Sequence, residues 1–155
     1  MQQLRNYVNE FTGNRILNAA LLSMFTAQVL KVLIIWVATK RFQPLRAFGT
    51  GGMPSSHTAL VVGLAASIGK WAGLYSPSFA VSVVFAIIVM YDSSNIRRSA
   101  GEQAKVINYM MQNWDEHTDV QAPDLFAKQL KELLGHKPVE VLAGAAVGLV
   151  FGILM

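Results

Sequence analysis

The sequence predicts an all-α fold: a polytopic membrane helical bundle of about four transmembrane helices, with a polar helical segment between the third and the fourth. Three observations carry this. The 155 residues are 53% hydrophobic and only 14% charged, with a mean hydropathy of +0.38, too apolar for an ordinary soluble domain. The apolar residues fall into four blocks, parted by turns rich in Gly, Pro and Ser or by one charged stretch. Most of the Lys and Arg residues lie in the connections that an alternating four-span topology puts on a single side. The length fits one membrane-embedded domain, residues 1–155. With no cysteine there is no disulfide framework, thiolate nucleophile or Cys-based metal site.

Met1 to Asn14 is polar and lacks the apolar core and small-residue cleavage site of a secretory signal, so it is expected to remain in place. Ile16 to Ala38 is long enough to cross a bilayer and carries one interior charge, Lys31, with Trp36 near its end. That lysine either snorkels or lines the bundle interior. Lys40 to Met53 is a basic, Gly-rich connection containing Lys40, Arg41 and Arg46. The block from Ser55 to Trp71 is a minimal span of roughly 17 residues. Ser76-Pro77-Ser78 is a turn, and Ser76 to Asp92 makes the third span. Ser93 to Lys137 is the polar part, with a helix expected over Ala104 to Trp114, a loop over Thr118 to Pro123, and a helix over Asp124 to Leu134 that Gly135 ends. Pro138 opens the last apolar helix, where Gly144, Gly148 and Gly152 form a ridge suited to close packing, between copies or within one chain.

Four crossings put Lys40, Arg41, Arg46, Arg97, Arg98, Lys105, Lys128, Lys131 and Lys137 on one side, against Arg5, Arg15 and Lys70 on the other. The excess makes the first side cytoplasmic. His57, His117 and His136 all fall there.

On that side lies the stretch Gly51-Gly52-Met53-Pro54-Ser55-Ser56-His57-Thr58. Two glycines permit a tight turn, Pro54 stops any arriving helix, and Ser55 or Ser56 caps the next one. Hydroxyls and an imidazole then sit at the positive end of a helix, a natural place for phosphate, although a capped turn before a buried helix reads the same way. His136 and Glu140 are four apart, so a carboxylate is available to hold one imidazole nitrogen protonated and leave the other free. Arg97-Arg98 after an apolar span reads by itself as a headgroup anchor, and Asp92 as their partner or a metal ligand, with pairing favoured. His117 sits among Asp115, Glu116 and Asp119 and reads as solvated. Gathered on one face, two histidines, hydroxyls and several cations at two helix N-termini compose a phosphate site with an acid and a nucleophile.

These residues resemble the type 2 phosphatidic acid phosphatase and vanadium haloperoxidase superfamily, and more closely its small divergent branch of bacterial and plastid membrane proteins. The resemblance runs through Gly51 to Ala59, Val89-Met90-Tyr91-Asp92, Ile96-Arg97-Arg98, Gly101, Gln103-Ala104, Leu134-Gly135-His136, Pro138-Val139-Glu140-Val141 and Gly144. It implies a lipid or isoprenoid phosphate hydrolysed through a phosphohistidine. Of the superfamily's phosphate-binding Lys and Arg, Lys40 and Arg46 are the nearest counterparts, without the usual spacing. Its Pro-Ser-Gly-His becomes Pro54-Ser55-Ser56-His57, whose histidine protonates the leaving group. Its Ser-Arg, His and Asp set is matched by His136 as nucleophile and Glu140 as orienting carboxylate, while Leu130 stands at the arginine position. Arg97 or Arg98 is then the expected replacement, with Ser55 and Ser56 as further phosphate ligands. Expected partners are an amphiphilic phosphate substrate, membrane lipids and a second copy; no cofactor, metal or nucleic acid is expected. Two other functions fit the same residues: a catalytically silent protein binding anionic headgroups or a partner, and, on Lys31 and the short helices alone, a small transporter or scramblase subunit.

Overall fold

The computed structural model describes residues 12–41, 52–112, 130 and 135–155. Arg46, Gly51, His117, the expected loop at 118–123 and, apart from Leu130, the expected helix from Asp124 to Leu134 lie outside the described residues, as does the side chain of Arg97.

Helix α1 spans Arg15–Thr39. Asn14 caps it by accepting the Leu17 N–H at 3.1 Å, and it stops where Lys40 turns left-handed at φ 55. Helix α2, Ser56–Trp71, is capped by Ser55. Helix α3, Pro77–Tyr91, is capped by Ser76, with Pro77 at the first helical position where its missing N–H costs nothing. A π-helical turn, Asp92–Ile96, leads into α4, Arg97–Gln112. Helix α5 spans Pro138–Leu154.

The end of the third span differs from expectation. The chain does not leave the helix at Asp92 and resume near Ala104; it passes through the π turn straight into α4. No Pro or Gly interrupts Asp92 to Ala100. The wide turn is satisfied by side chains, because the Ser93 and Ser94 hydroxyls donate to the Met90 carbonyl at 2.9 and 2.8 Å. Pro77–Met111 is therefore one apolar-to-polar rod of 35 residues, roughly 52 Å long. The hydrocarbon core is only about 30 Å thick, so α4 reaches beyond it.

Helix α2 is the hub, touching α1, α3 and α5, and α1 also touches α5. A Cβ on Gly144 would meet the Ser55 carbonyl, one on Gly148 the Ala59 carbonyl and the Gly63 amide, and one on Gly152 the Ala66 side chain and the Gly63 carbonyl. The glycine ridge thus lies along α2, and α2 and α5 run parallel. That contact occupies the ridge inside the chain and removes it as a reason to expect a second copy there. On the other side, a Cβ on Gly63 would strike Ser23, and Gly52 lies on the Lys31 stem, so α1 runs antiparallel to α2.

The core is built from small residues: Ala19, Ala20, Ala27, Ala59, Ala65 and Ala86 are all buried. The bulky ones face outward, among them Phe25, Val37, Val81, Phe85, Leu142 and Ile153. A protein in water buries such residues; a membrane bundle packs small ones inside and shows the large ones to lipid. Helix α1 and the Pro77–Met111 rod are each long and apolar enough to cross. At the far end Arg15 and Lys70 sit over the Trp71 ring, 5.1 and 5.2 Å from its centroid.

Candidate active site

The directions of packing bring the start of α2, the end of α3 and the start of α5 to one end of the bundle. The turn before α2 is shaped by Gly52, whose φ of 90 suits no side chain. The Ser55 hydroxyl accepts the Thr58 N–H at 3.4 Å and the Thr58 hydroxyl at 3.0 Å. The Ser55 amide donates to the Glu140 carbonyl at 2.9 Å, tying the starts of α2 and α5 together. Ser55 and Ser56, expected as phosphate ligands, are both buried in this joint, at 0% and 7% exposure.

His136 is buried just ahead of α5. Its Nδ1 lies 2.9 Å from Glu140 Oε2, and its amide donates to the Ser93 carbonyl at 3.0 Å. Glu140 Oε2 also accepts the Lys137 amide at 3.2 Å, so the carboxylate caps the helix and grips the imidazole at once. The pairing expected from the spacing is thus present, although His136 precedes the helix and is not on its first turn.

His57 is on the first turn of α2 and is exposed. With Ile88, Val89, Asp92 and Ser93 it lines a cleft of about 310 Å³. Ser93 is common to both: its carbonyl fixes His136 and it lines the His57 cleft, so the two histidines flank one π turn. Asp92 faces that cleft as well, which gives His57 an acidic neighbour that sequence distance does not reveal.

The cations are placed differently from one another. The backbone of Arg98 lies against Gly135, at the entrance to His136, while its Nε is 3.1 Å from Glu102 in an exposed pair. Lys40 is exposed at the end of α1. Lys31, roughly 14 Å back along that helix, is buried at 2% exposure. The Lys31 stem lies under Gly52. Of the two possibilities left open for it, the interior is the one the fold adopts. Lys31 had a signal in the sequence, a lone charge inside an apolar span; Ser93 had none, because its role depends on a carbonyl. Leu130 has its backbone amide and carbonyl bonded to the Asn108 side chain, both at 2.9 Å.

Two helix N-termini, a carboxylate-held imidazole and a second imidazole across one turn bring together groups of the kind that attract an anion. Among the described residues no group of three His, Asp or Glu side chains is placed to hold a metal ion.

Residues 12–151 match the Divergent PAP2 family. An uncharacterized membrane protein, YuiD, of Bacillus subtilis (strain 168) is 38% identical over 153 residues, covering 94% of this chain and 96% of that protein. No solved structure matches the chain.

Proposed function

We propose, from the premise that this chain belongs to the Divergent PAP2 family, that it is a multi-pass membrane phosphatase acting on a lipid or isoprenoid phosphate. The observation that carries the reading is the 2.9 Å contact between His136 Nδ1 and Glu140. With the Nδ1 proton held by the carboxylate, the Nε2 lone pair is free to attack phosphorus. The bond from phosphorus to the leaving oxygen breaks as the N–P bond forms, and His57 delivers a proton to the departing alkoxide. Water then attacks the phosphohistidine, the N–P bond breaks, and the proton of that water passes to His57. The dipoles of α2 and α5 favour the anion throughout.

The apolar surroundings support an amphiphilic substrate. A groove of about 570 Å³ runs between α2, α3 and α5 from Met90, next to the His57 cleft, to Phe79 and Lys70 at the far end. Past the level of Lys31 the exposed face of α1 remains apolar through Leu33, Ile34, Trp36 and Val37. Such surroundings favour a headgroup held at bilayer depth. The basic residues near this end support a cytoplasmic site.

The second reading, a silent protein that binds anionic headgroups, draws on Arg98. Its guanidinium faces Glu102, and no arginine stands at the position that Leu130 takes. The test is phosphate release from a panel of lipid and isoprenoid phosphates by the purified protein beside His57→Ala and His136→Ala. Release by wild type that both substitutions abolish or cut deeply is the expected result. No release from any substrate, with headgroup binding intact, makes the second reading correct.

A further inference from the structure

The end of the bundle away from the histidines gathers positive charge without a carboxylate to match it. Arg15 and Lys70 both sit over the Trp71 ring, 5.1 and 5.2 Å from its centroid. The two like charges therefore stand within about a Debye length of each other. Both cations are exposed, and among the described residues neither has an Asp or Glu partner. Lys70 Nζ donates to the Ile153 carbonyl at 2.7 Å, which fixes the ammonium across the tail of α5. Trp71 is 47% exposed, as befits a ring seated at headgroup depth.

Lys70 also lines the apolar groove between α2, α3 and α5. Phe79 and Leu74 close in beside it, 2.9 and 3.0 Å from where a Cβ on Gly69 would stand. From Phe79 to Met90 the groove follows α3 for roughly 16 Å. The hydrocarbon core is about 30 Å thick, so the groove has the depth of one leaflet. A chain lying in it can be tied by its headgroup at either end. The paired cations are at the Lys70 end, roughly 20 Å along α2 from His57.

We propose that this end binds an anionic glycerophospholipid of the leaflet opposite the histidines, with its phosphate against Arg15 and Lys70 and one acyl chain in the groove. A zwitterionic lipid offers the same chains, but its phosphate is already offset by its own cation, so charge selects between the two. Ile87, Leu149 and Ile153 are exposed along the groove, which leaves it a side open to the bilayer for the second chain. This lipid is a resident molecule and not the substrate, and its site does not depend on hydrolysis at the other end.

The test is native mass spectrometry of the full chain in neutral detergent, titrated with phosphatidylglycerol or with phosphatidylcholine of the same chains. Wild type is expected to retain one phosphatidylglycerol at concentrations that leave phosphatidylcholine unbound. Arg15→Gln and Lys70→Gln are each expected to weaken retention roughly 5-fold, and Lys70→Arg to keep it. Val83→Trp, which fills the middle of the groove with both cations intact, is expected to abolish it. Equal retention of the two lipids by wild type overturns the proposal, as does unchanged retention in the folded double Gln variant or in Val83→Trp. Lys70→Gln also removes the bond to Ile153; should it fail to fold, Arg15→Gln decides, and unchanged retention there is the overturning result. Glycerol phosphate is expected to leave the lipid in place; displacement at equal concentration marks a small-anion site and overturns the proposal. His57→Ala is expected to retain the lipid as wild type does, whatever its effect on turnover, and loss of the lipid there moves it to the histidines and overturns this site.

Discussion

At the scale of the residue, His57 and His136 are unequal in their surroundings. His136 is buried and gripped by Glu140; His57 is exposed in a cleft with Asp92. A nucleophile needs one fixed lone pair, whereas a proton carrier needs access to the leaving oxygen and to water. His57→Ala is therefore expected to cost about 10²–10⁴-fold on an alkyl phosphate and far less on a nitrophenyl phosphate, whose leaving group needs no proton. His136→Ala is expected to fail on both. Comparing turnover of the two variants on the two esters decides it, and rescue of His136→Ala by the good leaving group would reverse the roles. The serines carry a different lesson. Ser55 reads as a ligand or as a cap in the sequence, and in the fold its hydroxyl is taken by Thr58 and its amide by Glu140.

At the scale of the element, α5 holds the site because it can lie close against α2. Atoms of the α2 backbone stand 2.7 and 2.8 Å from the place of a Cβ on Gly148. Backbone cannot yield as the end of a side chain does, so Gly148→Leu must push the two helices apart. The expected loss is about 1–3 kcal/mol, the range of overpacked cores, read as a lower thermal midpoint in detergent. Because the Ser55–Glu140 bond joins the same two helices, activity is expected to fall with it. A variant as stable and active as wild type would show that this contact does not hold the bundle. The π turn is the other element that matters. By carrying α3 into α4 without a break, it turns the Ser93 carbonyl toward His136.

At the scale of the molecule, the bundle is turned inside out relative to a soluble one, with Ala and Gly between helices and Phe, Val, Leu and Ile around them. Its two ends also differ in chemistry. Arg15, Lys70 and Trp71 gather at one, and His57, His136, Glu140 and the rod of α4 at the other. The chain has no cysteine, which makes topology directly measurable. Tyr75→Cys, in the exposed turn between α2 and α3, is expected to react with a membrane-impermeant maleimide from outside intact cells. Lys105→Cys, exposed on α4, is expected to react only after the cells are opened. Labelling of both from outside would overturn the four-span arrangement, and a reversed pattern would move the site to the other face of the membrane.

The four apolar blocks, a cap at Ser55 or Ser56, Pro138 at the head of the last helix and the pairing of His136 with Glu140 were legible in the chain. All of them are short-range: a cap, a first-turn proline or an i, i+4 pair depends on neighbours within about one helical turn. The continuation of α3 into α4 was not legible, because a polar run after an apolar span resembles an exit from the helix while its serines can equally satisfy the backbone. The destination of the glycine ridge, the burial of Lys31 beneath Gly52 and the meeting of both histidines at Ser93 were decided by tertiary structure. Each joins groups distant in the chain, and what joins them is the close approach of glycine-faced helices, a geometry that no local pattern specifies.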